Sequence, residues 1–251
     1  MSAERDLEGK VAIVTGAARN LGRGCAVMLG SRGACVAVHY HSDGSRADAE
    51  ETCRQVCAAG GAAEPFAAAL DDPRQVERLG SEALSRFGRL DILINNAGVI
   101  IKKPFSEITE QDFDRAFAVN AKAPFLLMQT AAARISDGGR IVNIATSILG
   151  CSFPFYSVYA ASKASLEHLS RALAKELAAR GVSVNTIAPG ALDTPFFYAA
   201  ESEESAKQIA SFTGGLGGVN DVVPTVAFLV SPAARWLSGQ TLFVNGGFVA
   251  R

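Results

Sequence analysis

Apolar runs of strand length alternate with stretches of helical periodicity from one end of this chain to the other, and no other feature constrains the fold as strongly. The strand runs lie at residues 11–15, 34–40, 62–68, 91–95, 140–145, 183–187 and Thr241–Val244, and helical patterns cover 46–59, Pro73–Phe87, 110–135 and 159–180. Strands that are apolar on both faces and separated by helices predict an α/β fold. The expected sheet is parallel and doubly wound, has about seven strands, and carries helices on both faces. With 251 residues, 49% of them hydrophobic, the chain can bury one full core, so a single domain over 1–251 is expected. The one long irregular stretch, 192–219, follows the sixth strand. Ligands of such sheets sit beyond the carboxyl ends of the strands, so this stretch is expected to be a substrate-binding loop.

Charge and composition narrow the function. A formal net charge of −1 with scattered Lys and Arg gives no footprint for nucleic acid. The opening MSAERDLEGK lacks the apolar core of a signal peptide and no later run is long enough for a bilayer, so a soluble, cytoplasmic protein is expected, with no membrane partner. Cys25, Cys35, Cys53, Cys57 and Cys151 lack the paired spacings of a zinc site, and neither a metal nor a disulfide is expected. Cys53 and Cys57, one helical turn apart, are read as small buried residues.

Between the first strand and the first helix stands TGAARNLGRG, residues 15–24. A tight turn there gathers backbone N–H groups and a helix N-terminus at one point, a ready pyrophosphate site, with Gly16, Gly22 and Gly24 allowing close approach. Asn20 occupies a position where another glycine would be expected; Asn is the best non-glycine occupant of left-handed backbone. Further along, DILINNAG (91–98) ends a strand in two amides, and YAASK (159–163) places Tyr159 and Lys163 one helical turn apart.

These motifs, in this order and over essentially the whole length, resemble the short-chain dehydrogenase/reductase family, whose fold is of the Rossmann type. Its T-G-x-x-x-G-x-G pattern is met by Thr15, Gly16 and Gly22, with Asn20 at the middle glycine. Its N-N-A-G is met by Asn95, Asn96, Ala97 and Gly98, its helical Asn by Asn120, its Y-x-x-x-K by Tyr159 and Lys163, and its P-G-x-x-x-T by Pro189, Gly190 and Thr194. The resemblance implies that Gly16, Ala18, Arg19, Asn20, Leu21 and Gly22 cradle a nicotinamide dinucleotide, and that Asn96, Ala97, Gly98, Pro189, Gly190, Leu192 and Thr194 contact it. Leu70 and Asp71 are expected near the adenine. After the second strand, where NAD-binding proteins of this fold carry an acid, the chain reads His39, Tyr40, His41 and Ser42, and Arg19 supplies a basic group, so NADP (as NADPH) is the expected cofactor.

The implied chemistry is hydride transfer to or from a carbonyl, for which Tyr159 is the general acid, Lys163 its electrostatic partner and Asn120 a residue whose backbone holds a relay water. A third hydroxyl should orient the carbonyl. Counting thirteen residues back from Tyr159 gives Thr146, while counting from Gly150 gives Ser147; alternation along RIVNIATS favours Thr146. Aromatics in CSFPFY (151–156) and PFFY (195–198) suggest an apolar pocket. The expected activity is that of an NADPH-dependent carbonyl reductase or, in reverse, an alcohol dehydrogenase acting on a small molecule. A 3-oxoacyl-carrier or pteridine reductase is the alternative, and an NADP-sensing protein a remote one. Lys102, Lys103 and Lys207 are the only hint of a basic patch for an acyl carrier, and the pteridine reductases carry Asp where this chain has Thr146. A homo-oligomer, in the family's manner a tetramer, is expected, with Leu166, Leu169, Leu173 and Leu177 forming a stripe that suits an interface or the core.

Overall fold

The computed structural model describes residues 5–250; residues 1–4 and 251, the ends of the expected domain, lie outside the described residues. Strands β1 (Val11–Val14), β2 (Cys35–Tyr40), β3 (Ala62–Ala67), β4 (Leu90–Asn95), β5 (Ile135–Ile144), β6 (Ser183–Pro189) and β7 (Thr241–Val244) form one sheet, in the order β3-β2-β1-β4-β5-β6-β7. Every neighbouring pair is parallel. The helices are α1 (Asn20–Ser31), α2 (Arg46–Ala58), α3 (Pro73–Phe87), α4 (Glu110–Phe117), α5 (Ala123–Arg134), α6 (Ser157–Glu176), α7 (Pro195–Tyr198), α8 (Glu203–Ser211) and α9 (Val219–Leu229).

Successive strand residues point to opposite faces, and both faces are apolar, so the sheet needs two cores. Ala12, Val14, Ile92, Ile94, Val142 and Ile144 pack with α1, α2 and α9 on one side; Ile13, Leu93 and Ile141 pack with α3, α5 and α6 on the other. Each of the Val, Leu and Ile side chains among these, fully buried, contributes about 1.5–3 kcal/mol. Local chemistry sets the helix ends. Asp72 caps α3 by accepting from the Arg74 amide at 3.0 Å, Pro73 stands at its first position, and Gly88 closes it in the left-handed region (φ 75°).

The structure corrects several expectations. The helix expected over 110–135 is two helices joined by a π-turn at Ala118–Lys122. The strand expected at 140–145 begins at Ile135; its register against β4 jumps from Leu90–Ile135 to Ile92–Arg140, so four residues bulge out. The helix expected to reach residue 180 ends at Glu176, and one further short turn stops at Gly181, whose φ is 65°. The irregular 192–219 segment contains α7 and α8. The α6 leucine stripe faces inward: Leu166 and Leu177 are buried, and Leu169 and Leu173 pack on the core. Cys57 is exposed and Cys53 half-buried, because the inward stripe of α2 is Ala49, Thr52 and Val56.

A buried polar chain ties α6 to the sheet. Asn95 Nδ2 donates to Asn143 Oδ1 at 2.8 Å, Asn143 Nδ2 to Ser170 Oγ at 2.8 Å, and Ser170 and Thr186 share a hydrogen bond of 2.9 Å. The chain joins β4 and β5 to β6 through Ser170, on the helix that carries Tyr159 and Lys163. Removing one member leaves dry partners unsatisfied. Ser170→Ala is therefore expected to lower unfolding stability in urea by about 1–3 kcal/mol; a change too small to measure would mean that the chain does not hold α6.

Candidate active site

The turn after β1 is built for close approach. Gly16 has a φ of 63° and Asn20 of 50°, so both occupy left-handed backbone, which glycine and asparagine tolerate best. A Cβ on Gly22 would lie 2.2 Å from the Gly16 carbonyl oxygen and 2.6 Å from Asn96 Nδ2, so only glycine fits. The first amides of α1 lack helical acceptors and face the turn. Side chains fix its shape. Thr15 Oγ1 accepts from the Asn96 and Ala97 amides at 2.9 and 3.0 Å, Asn96 Nδ2 donates to the Thr15 carbonyl at 2.9 Å, and Arg23 donates to the Ala18 carbonyl at 2.6 Å. The N–H groups gathered at this closely packed turn fit the diphosphate of a dinucleotide.

His39 is fully buried beneath the same turn. Its Nδ1 accepts from the Gly16 amide at 2.9 Å, so Nε2 carries the proton and donates to the Ala68 carbonyl at 3.0 Å. Burial pushes its pKa down to about 4. The imidazole thus works as a neutral strut under the glycine turn, with both nitrogens engaged inside the protein.

A cavity of about 810 Å³ runs along the carboxyl ends of the strands. The turn residues Gly16, Ala18, Arg19, Asn20, Leu21 and Gly22 line it, as do His39, Tyr40 and His41, Leu70 and Asp71, and Asn96, Ala97 and Gly98. Thr146, Ser147, Tyr159 and Lys163 line its middle, with Pro189, Gly190, Leu192 and Thr194 beyond them. Two expected residues do not line it. Ser42 begins a short turn whose Ser45 reaches the cavity instead, and Asn120 is buried behind the wall. Asp43, the acid nearest the end of β2, is not among the lining residues. Arg19 meets Asp48 at 2.7 Å across half-exposed side chains, a pair of the weak surface kind.

At the centre, Tyr159 and Thr146 both line the cavity. Burial pushes the Tyr159 phenol up to about 12, against a smaller downward pull from Thr146, so at neutral pH the phenol keeps its proton. Lys163, also buried, donates from Nζ to the Ile144 carbonyl at 2.7 Å, and burial brings its pKa down to about 8. Thr146 and Ser147 diverge: Ser147 Oγ donates to the Ala188 carbonyl at 2.9 Å, towards β6 and away from Tyr159.

Asn120 sits inside the π-turn. Its side chain accepts from the Val99 amide at 2.9 Å and donates to the Val99 carbonyl at 2.9 Å and to Ser162 at 3.0 Å. In an unbroken α-helix its carbonyl would accept from the amide four residues on. That residue is Pro124, which has no N–H, so the α-helical donor for this carbonyl is missing.

Sequence reasoning missed several walls of the cavity. Phe248 and Asn245 follow β7, and Phe248 stacks on Phe153 with centroids 5.6 Å apart. The rule that sites gather beyond strand carboxyl ends could have drawn attention to VNGGF. Ile209 and Arg115 also line the cavity, whereas Phe153, Tyr156, Phe196 and Phe197 come from the CSFPFY and PFFY aromatics from which a pocket was expected. Lys102 and Lys103 are paired with Glu201 at 2.6 Å and Asp112 at 2.7 Å, so the basic patch weighed for an acyl carrier loses two of its three charges.

Comparison with known proteins identifies the family. The family described as enoyl-(acyl carrier protein) reductase matches residues 16–249. A hydroxynaphthalene reductase-like protein, Arp2, of Metarhizium majus is 37% identical over 98% of this chain and 97% of its own. The chain belongs to the short-chain dehydrogenase/reductase family. Membership makes it an oxidoreductase. Among solved structures, a candidate dehydrogenase from Burkholderia cenocepacia with bound NADP superposes with a TM-score of 0.95 at 42% identity, covering 99% of this chain and 97% of that one. The angucycline C-6 ketoreductase LanV with bound NADP gives 0.90 at 36%, covering 97% and 96%.

The depressed pKa of Lys163 generates a pH prediction. The ammonium is charged below about 8 and neutral above it, and an anionic dinucleotide gains from the charged form alone. Affinity for NADPH, followed by its fluorescence, is expected to fall as pH rises through about 8, and Lys163→Met should remove that step. A step that persists in the variant would assign the titration elsewhere.

Proposed function

We propose that the protein is an NADPH-dependent carbonyl reductase of bulky aromatic ketones, with Tyr159 as the proton donor. The observation that carries this reading is the gathering of Thr146, Tyr159 and Lys163 on one cavity that is also lined by Phe153, Tyr156, Phe196, Phe197 and Phe248. A flat apolar substrate would gain from such walls. The names of two relatives, a hydroxynaphthalene reductase-like protein and an angucycline ketoreductase, point to the same substrate class.

The cofactor is NADP, as in the solved relatives that hold it. When bound, NADPH supplies the hydride. Arg19, His41 and Ser45 form the end of the cavity beyond β2, where a 2′-phosphate would find a cation and no carboxylate from 39–45 among the lining groups. The chain's own groups manage the proton. Thr146 and Tyr159 present two hydroxyls to one carbonyl oxygen, which orients the substrate and polarises it. Tyr159 then gives up its proton to that oxygen. The high Tyr159 pKa keeps the proton loaded, which suits reduction; oxidation of an alcohol would need the phenolate. The Lys163 charge steadies the phenolate as it forms, and the carbonyl of Asn120 can hold a water that returns the proton.

A homo-oligomer, most simply a tetramer, completes the proposal. Exposed Phe113 and Phe125 on α4 and α5 support it, whereas the α6 leucines lie in the core. Light scattering at micromolar concentration should give a multiple of the chain mass, and a monomer would contradict it.

The catalytic reading is tested by following NADPH absorbance with fused-ring ketones, 3-oxoacyl thioesters and pterins. Tyr159→Phe should bind NADPH nearly normally and lose about 10²–10⁴ in turnover. Thr146→Val should cost far more than Ser147→Ala, with Thr146→Ser restoring activity, and Arg19→Ala should weaken NADPH far more than NADH. An active Tyr159→Phe enzyme would refute the mechanism.

A further inference from the structure

Beside the aromatic wall lies a buried charge cluster that the hydride chemistry does not use. The Glu201 side chain is 0% exposed. It accepts from the Tyr156 hydroxyl, the Lys102 ammonium (2.6 Å) and the Ser205 hydroxyl. These donors come from different parts of the chain: Lys102 from the loop after β4, Tyr156 from the entry to α6, and Ser205 from α8, next to Glu201 itself. Lys102 Nζ also stands 5.4 Å over the Tyr156 ring, whose centroid is 6.0 Å from that of Tyr159. The backbone reinforces the meeting point. The Lys103 amide donates to the Phe155 carbonyl at 3.0 Å, and Phe155 is held in left-handed backbone (φ 71°) immediately before Tyr156.

A carboxylate without water is stable only where charge and hydrogen bonds replace its hydration. For Glu201, two of the three donors exist only when the segment carrying α7 and α8 lies against the mouth of the cavity. If the segment lifted away, Glu201 would regain water but lose Lys102 and Tyr156, and the Tyr156 ring would lose the bond that fixes its tip. The same segment brings Phe196, Phe197 and Ile209 into the cavity, so its position sets the shape of the substrate wall.

We infer that Glu201 is a positioning residue, which docks the α7–α8 segment on the active-site mouth through Lys102 and Tyr156 and holds the Tyr156 ring as a wall for the substrate. The kinetic arm of this inference rests on the carbonyl-reductase reading; the docking itself does not. Because Lys102 is neutralised in the hub, the wall suits an uncharged aromatic substrate.

Hydrogen exchange on the full-length protein, read by mass spectrometry with and without NADPH, tests the docking directly. Glu201→Ala is expected to speed exchange of amides in 195–211 at least tenfold, to leave the sheet unchanged, and to keep the NADPH dissociation constant within twofold. With a neutral fused-ring ketone, KM should rise tenfold or more while kcat changes less than threefold. Lys102→Met alone leaves a buried, unpaired carboxylate, so it should loosen the same segment, and adding Glu201→Gln should recover most of the protection, as an ion-pair hub requires and mere packing does not. Unchanged exchange in Glu201→Ala, loosening spread through the sheet, no recovery in the double variant, or a loss in kcat with KM unchanged would each overturn the inference. If the wild-type protein reduces no ketone at all, the proposed function fails, while the exchange data still decide the docking.

Discussion

The pairing of β1 with β4 is the contact on which the rest of the molecule depends. The chain lays β2 and β3 to one side of β1, then returns to build β4 through β7 on the other. At the join the covering helices diverge and leave a crevice at the strand carboxyl ends. Thr15 and Asn96 stitch the two strand ends together there, and the glycine turn and the His39 strut take their positions from that seam.

Dryness governs the chemistry of the crevice. The same burial that raises Tyr159 lowers Lys163, so the phenol keeps its proton more firmly and the ammonium sheds its own more easily. Neither group is close to its ordinary solution behaviour, and both stand on α6, which the polar chain through Asn143 and Ser170 joins to the sheet.

Much of this was legible in the sequence, because parallel strands buried on both faces read as unbroken apolar runs and because α3 announces its own ends through Asp72, Pro73 and Gly88. Thr146 and Ser147 both reach the cavity, and the Ser147 hydroxyl is the one taken up by the Ala188 carbonyl of β6. Other features left a weaker trace. The π-turn preserves the direction of the helix, so the apolar periodicity of 110–135 continues through the break, and only Pro124 hints at it. The helices α7 and α8 span four and nine residues, too few to impose a clear period. Glu201 meets Tyr156 and Lys102 across 45 and 99 residues of sequence, and within ESEES it reads as one more solvent-facing acid.

Pro124 shows how a binding group can be created by subtraction. No side chain is added; one amide hydrogen is missing, and the carbonyl of Asn120 loses its α-helical donor. Replacing Pro124 by alanine would supply that hydrogen, favour an unbroken turn of α-helix over the π-turn, and claim one of the carbonyl's two lone pairs. At this one peptide, the residue that favours the helix and the residue that withholds a donor from it are not the same.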